Sequence, residues 1–63
     1  MDKTAIRNLK KGEFIKRKEN SLMVFTKGHY DRATKSFSCT CWFDHNTEIF
    51  IKANHEVYYG FTF

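Results

Sequence analysis

Residues 35–45, KSFSCTCWFDH, place Cys39 and Cys41 one residue apart and follow them with Asp44 and His45. Thiolate, imidazole and carboxylate are zinc ligands, so this run is the first candidate for chemistry. A structural zinc site takes four ligands in spaced pairs. The chain has no second cysteine pair, and His29, His45 and His55 are not at finger-like spacing. A disulfide between residues i and i+2 of one strand has poor geometry. Cys39 and Cys41 therefore read as strand interior, where a free thiol packs as a small hydrophobe. No metal and no cofactor are expected.

Asp44-His45 could also be an acid–base pair, with Asp31, Glu48 and Glu56 as further carboxylates. Neighbours on a turn cannot hold a base against its orienting group, and neither a nucleophile motif nor a glycine-rich phosphate loop is present. Asp31, Asp44 and Asn46 are better explained as turn formers. A chain of this size has little room for a water-excluding pocket, so no enzymatic activity is expected.

What must position any binding residues is a small core. Sixty-three residues bury only about 60% of the unfolded chain's surface. The apolar area comes from large side chains: seven Phe, three Tyr and one Trp. Proline is absent and glycine occurs three times, which excludes a flexible linker and points to one domain over residues 1–63. No apolar run approaches the ~18 residues of a membrane helix, and no basic-then-apolar leader opens the chain. An outer-membrane barrel needs roughly eight strands or more, and this chain has room for about five. No membrane association and a cytoplasmic location are the expectation.

Thr4 before Ala-Ile-Arg-Asn-Leu-Lys-Lys and Gly12 predicts a short helical turn, with Ile6 and Leu9 docking on the rest. Beyond Gly12 the apolar period becomes two, and strands are predicted at 13–18, 22–30, 37–43, 47–52 and 57–63. Short turns between them favour an antiparallel meander. Pairing on the turns sets Tyr30 opposite Phe37, Gly28 opposite Cys39 and Thr26 opposite Cys41. It then sets Cys41 opposite Ile49, Cys39 opposite Ile51, and Ile51 opposite Val57. The register of 13–18 is open, since either Phe14 or Ile15 can point inward. The predicted fold is all-β: an antiparallel meander of about five strands, curled into a small SH3-like or OB-like barrel, with a short N-terminal helical turn.

This register leaves Phe25, Lys27, Trp42, Phe50, Lys52 and Tyr58 on the opposite face, with Phe25 across from Trp42 and Phe50 across from Tyr58. A sheet face in water does not carry four aromatics without a reason. Coverage by Ile6 and Leu9 is one reason, and a binding surface is another. Ten of the eleven Lys/Arg lie in residues 1–35 against four acids, among them Lys16 and Lys18 of the first strand. Rings that stack bases, interleaved with cations that hold phosphates, are what single-stranded nucleic-acid binding uses. The expectation is a non-catalytic module binding nucleic acid through Lys16, Lys18, Phe25, Lys27, Trp42, Phe50, Lys52 and Tyr58. The alternative is a protein–protein module or homodimer that buries the same aromatics.

The pattern Leu9-x-x-Gly12-Glu13-Phe14, Tyr30-Asp31-Arg32-x-x-Lys35, Glu48-x-Phe50-x-Lys52 and Val57-x-x-Gly60-Phe61-Thr62-Phe63 resembles a group of short bacterial proteins associated with mobile elements. It spans most of the chain. The resemblance implies a single small β domain and carries no activity or ligand with it.

Overall fold

The computed structural model describes residues 1–62; Phe63, expected at the end of the last strand, lies outside the described residues. The expected all-β fold is what the chain adopts, with strands β1 (Asp2–Ala5), β2 (Phe14–Ile15), β3 (Phe25–Asp31), β4 (Ser36–Cys41), β5 (Glu48–Lys52) and β6 (Glu56–Tyr59). Among the described residues the one helical element is a 3₁₀ turn at Ile6–Asn8. The meander β2-β3-β4-β5 is antiparallel throughout and curls into a half-barrel. β1 and β6 form a second antiparallel ladder, joined to the first where Lys16 bridges Tyr58.

Ile6, Leu9 and Val57 from the second ladder and its 3₁₀ turn meet Ile15, Phe25, Cys39, Cys41 and Ile51 from the meander in one core. Burying each large aliphatic side chain contributes about 1.5–3 kcal/mol. Ile6 and Leu9 thus dock as expected, but on the cysteine face rather than over the aromatic one. Cys39 and Cys41 are free and buried there, and Ile15 rather than Phe14 points inward.

The β3–β4 ladder begins in the predicted register at Tyr30 and Phe37, then shifts. Gly28 and His29 together oppose Ser38, so Lys27 pairs with Cys39 and Phe25 with Cys41. This is a β-bulge, and a one-residue slip turns every later side chain to the other face. Phe25 and Lys27, expected outside, are buried at 5% and 4% exposure. The Ser38 hydroxyl fastens the bulge by accepting from the His29 N–H at 3.2 Å.

Two further pairings differ from expectation. β4 and β5 pair with Cys39 opposite Ile49 and Phe37 opposite Ile51, two residues from the predicted register, so the faces are preserved. The turn sets this offset: the Asp44 carboxylate accepts from the Asn46 N–H and the Thr47 hydroxyl, and Cys41 N–H donates to the Thr47 carbonyl. β6 does not pair with β5. It crosses to β1, with Val57 opposite Thr4, because burying Val57 beside Ile6 closes the core from the far side.

Candidate nucleic-acid interface

The outward surface of the curled sheet is built by strand alternation from β1 to β5. In the second ladder Lys3 pairs with Tyr58, and Tyr58 bridges Lys16 on its other side. Since Val57 and Ile15 point into the core, Tyr58 and Lys16 point out. The Lys3 ammonium lies 5.9 Å from the Tyr58 ring centre and that of Lys16 4.7 Å from the Phe61 ring, both at cation–π range. Phe14, two residues from Lys16, stands edge-on to Trp42 with ring centres 5.4 Å apart. Lysines and rings therefore alternate along one outward band.

Beyond Trp42 the surface turns polar. Across β2, β3, β4 and β5 the outward row reads Phe14, Thr26, Thr40 and Glu48, and the next places Ser38 beside Phe50. A shallow groove of about 430 Å³ lies over Thr26, Gly28, Ser38 and Thr40, walled by Lys11 and His29 on one side and by His45 and Glu48 on the other. The Lys11 ammonium sits 3.1 Å from His29 Nε2. Phe50 is 57% exposed beyond the groove, and the Lys52 ammonium beside it donates to the Thr34 carbonyl at 2.8 Å.

Of the eight residues the sequence nominates, the structure keeps Lys16, Trp42, Phe50, Lys52 and Tyr58 on the outward surface. Trp42 is 46% exposed. Lys18 is exposed in the turn after β2. Phe25 and Lys27 are removed from the surface by the bulge. Phe50 and Tyr58 are not cross-strand neighbours, because β5 and β6 separate.

Lys27 instead reaches under the core, where its ammonium donates to the Leu9 carbonyl and lies 4.1 Å from the Phe37 ring centre. Burial pulls its pKa below the usual 10.5, against the opposing influence of Glu13 and Cys39. Burial also pushes the Cys39 thiol up to about 11, so it is an inert packing group rather than a nucleophile.

Lys3, Phe14 and Phe61 join the band without having been singled out. The alternation of Phe14 with the core residue Ile15 was the available signal for one of them. Nothing local marks Lys3 or Phe61, whose places depend on the β1–β6 ladder.

Among the described residues the one ion pair is Lys3 with Glu56 at 3.4 Å, both exposed, so Lys16, Arg17 and Lys18 face solvent without a carboxylate. Also among the described residues, no group of three His, Cys, Asp or Glu side chains gathers as metal ligands, and no helix is long and apolar enough to cross a membrane. The Asp44 carboxylate is engaged by the turn it caps, and those hydrogen bonds lower its pKa. Comparison of the chain with protein-family models, curated proteins and solved structures returns no match.

Proposed function

We propose that this chain is a non-catalytic module that binds single-stranded nucleic acid on the outward face of its sheet. The observation that carries the proposal is the band in which Lys3, Tyr58, Lys16 and Phe61 alternate cation with ring and lead to the Phe14–Trp42 pair. Bases stack on aromatic faces whatever their sequence, and ammonium groups beside the rings meet the phosphates between them. The polar groove next to Trp42 supplies hydroxyls and His29 for base edges. A cytoplasmic setting suits this role and keeps the two thiols reduced.

Trp42 is the only tryptophan, so its fluorescence reports the binding directly. Titration with a mixed-sequence single-stranded oligonucleotide quenches the emission. Affinity falls with salt at a log–log slope of about −2, as for roughly three phosphates neutralised on a single strand. Trp42→Ala weakens binding by about 1–3 kcal/mol, the worth of one stacked base. A titration with no response at low salt would sink the proposal. The protein-interface reading has a partner or a second copy bury the same outward aromatics, Trp42 and Phe50 being 46% and 57% exposed; there Trp42→Ala would change oligomeric state and leave oligonucleotide binding unaltered.

A further inference from the structure

β5 is an edge strand: among the described residues it pairs with β4 on one side and with no strand on the other. The direction of its backbone groups follows from the ladder. Cys41 N–H donates to the Thr47 carbonyl and Ala53 N–H to the Lys35 carbonyl, so residues 47, 49, 51 and 53 spend their backbone groups on β4. In an antiparallel pair the alternate residues, Glu48, Phe50 and Lys52, then present theirs to the open side. The Lys52 carbonyl accepts from His55 N–H. The N–H and C=O of Glu48 and Phe50 and the N–H of Lys52 have no backbone partner among the described residues.

Natural edges are blunted because such a row templates another strand. This edge is five residues long, free of proline and flanked by two depressions. One, of about 150 Å³, lies between Arg17 and the stretch Phe50, Ile51, Lys52 and His55. The other, of about 430 Å³, runs from Arg17 and Lys18 to Met23, Phe25, Thr47 and Ile49. Arg17 lines both, so the two depressions adjoin beside β5. Their outer wall is cationic, with Arg17 and Lys18 unpaired by carboxylate among the described residues. The inner end is apolar.

We propose that the open edge of β5 docks an acidic extended peptide as an added strand. The peptide's backbone pairs with Glu48, Phe50 and Lys52, its carboxylates meet Arg17 and Lys18, and one apolar side chain enters the mouth formed by Met23, Phe25 and Ile49. This is strand addition, in which main-chain hydrogen bonds give affinity and alternate side chains give selectivity. The site uses the backbone edge of β5 with Arg17 and Lys18, whereas the nucleic-acid reading rests on Lys3, Lys16, Tyr58, Phe61 and the Phe14–Trp42 pair.

The test uses the whole chain, isotope-labelled, with a seven-residue peptide alternating valine and glutamate, and its lysine counterpart as control. The glutamate peptide shifts the amides of Glu48, Phe50 and Lys52 and slows their hydrogen exchange at least tenfold; the lysine peptide does neither. Phe50→Pro removes an N–H that β4 does not use and abolishes peptide binding. Arg17→Glu weakens it at least tenfold and needs no change in the strand, so it decides the matter if the proline variant fails to fold. Trp42→Ala leaves peptide affinity unchanged. The proposal is overturned if both peptides bind equally, if neither binds, or if the shifts map to Lys16 and Trp42. It is also overturned if the free protein dimerises with concentration and protects the same three amides, since the occupant is then a second copy.

Discussion

At Gly28 a side chain has no room: a Cβ would lie 2.7 Å from both the carbonyl oxygen and the hydroxyl oxygen of Ser38. The first is backbone and cannot swing away, so Gly28→Ala forces the bulge apart at a cost of about 1–3 kcal/mol, measured as a shift in the urea midpoint. Lys27 follows from that bulge and makes a separate prediction. Its folded pKa is depressed, so between that value and 10.5 the unfolded chain binds more protons, and this lysine adds stability as pH rises. Cys39 acts oppositely, since its raised pKa removes stability between pH 9.0 and about 11. Because the thiol and this lysine influence each other, wild type and Lys27→Met are compared in a Cys39→Ala background, which removes the opposing contribution. Wild-type stability relative to the variant should climb with pH as the ammonium loses its proton, and a flat difference would place Lys27 in water. A thiol-exchange reagent at pH 8 should label neither cysteine in the native protein and both in denaturant.

Elements differ in how far local sequence specifies them. The inward faces of β4 and β5 were legible because Phe37, Cys39 and Cys41, and then Ile49 and Ile51, alternate without interruption. The amino-terminal half of β3 was not. Val24-Phe25-Thr26-Lys27 offers an apolar residue on either parity, and a lysine reads as exposed by default. The Gly28-His29 bulge decides the parity through a contact with Ser38 ten and nine residues away. Val24 shows the same ambiguity, being only 2% exposed yet outside the main core. The β1–β6 ladder was hidden for another reason: Asp2–Ala5 has no apolar alternation, and its pairing spans nearly the whole chain. The outward cation Lys3 and the ring of Phe61, whose places depend on this ladder, were therefore missed along with it.

The amino-terminal segment is also where element stability can be tested. Ile6 N–H donates to the His55 carbonyl at 2.9 Å and Arg7 N–H to that of Ala53 at 3.2 Å. These bonds tie the 3₁₀ turn to the β5–β6 connection. Ile6 is fully buried, so Ile6→Ala should cost about 2–5 kcal/mol. Arg7→Ala, at an exposed side chain bonded to Asn54, should cost about 0.5 kcal/mol or less. Equal effects in chemical denaturation would mean that the turn does not close the core.

For the molecule as a whole, the question is whether two ladders make one cooperative unit. The radius of gyration is 10.6 Å, close to the ~10.6 Å expected of a compact chain of this length. Neither ladder has a core of its own: Ile6 and Val57 pack against Cys39, Cys41 and Ile51 rather than against residues of their own sheet alone. A domain of this size has a stability of only about 3–9 kcal/mol, so losing the apolar lid removes a large share of it. The β1–β6 ladder therefore cannot open while the meander stays folded. Native-state hydrogen exchange should give Val57 and Tyr58, in the outer ladder, the same limiting free energy as Cys39 and Thr40 in β4. Ile6→Ala should lower both sets together. If the β6 amides opened at a distinctly lower free energy, the meander would be the stable unit. The nucleic-acid band, which needs Lys3 and Tyr58 held beside Lys16, would then be assembled only part of the time, and its affinity would fall by the fraction of molecules in which the ladder is formed.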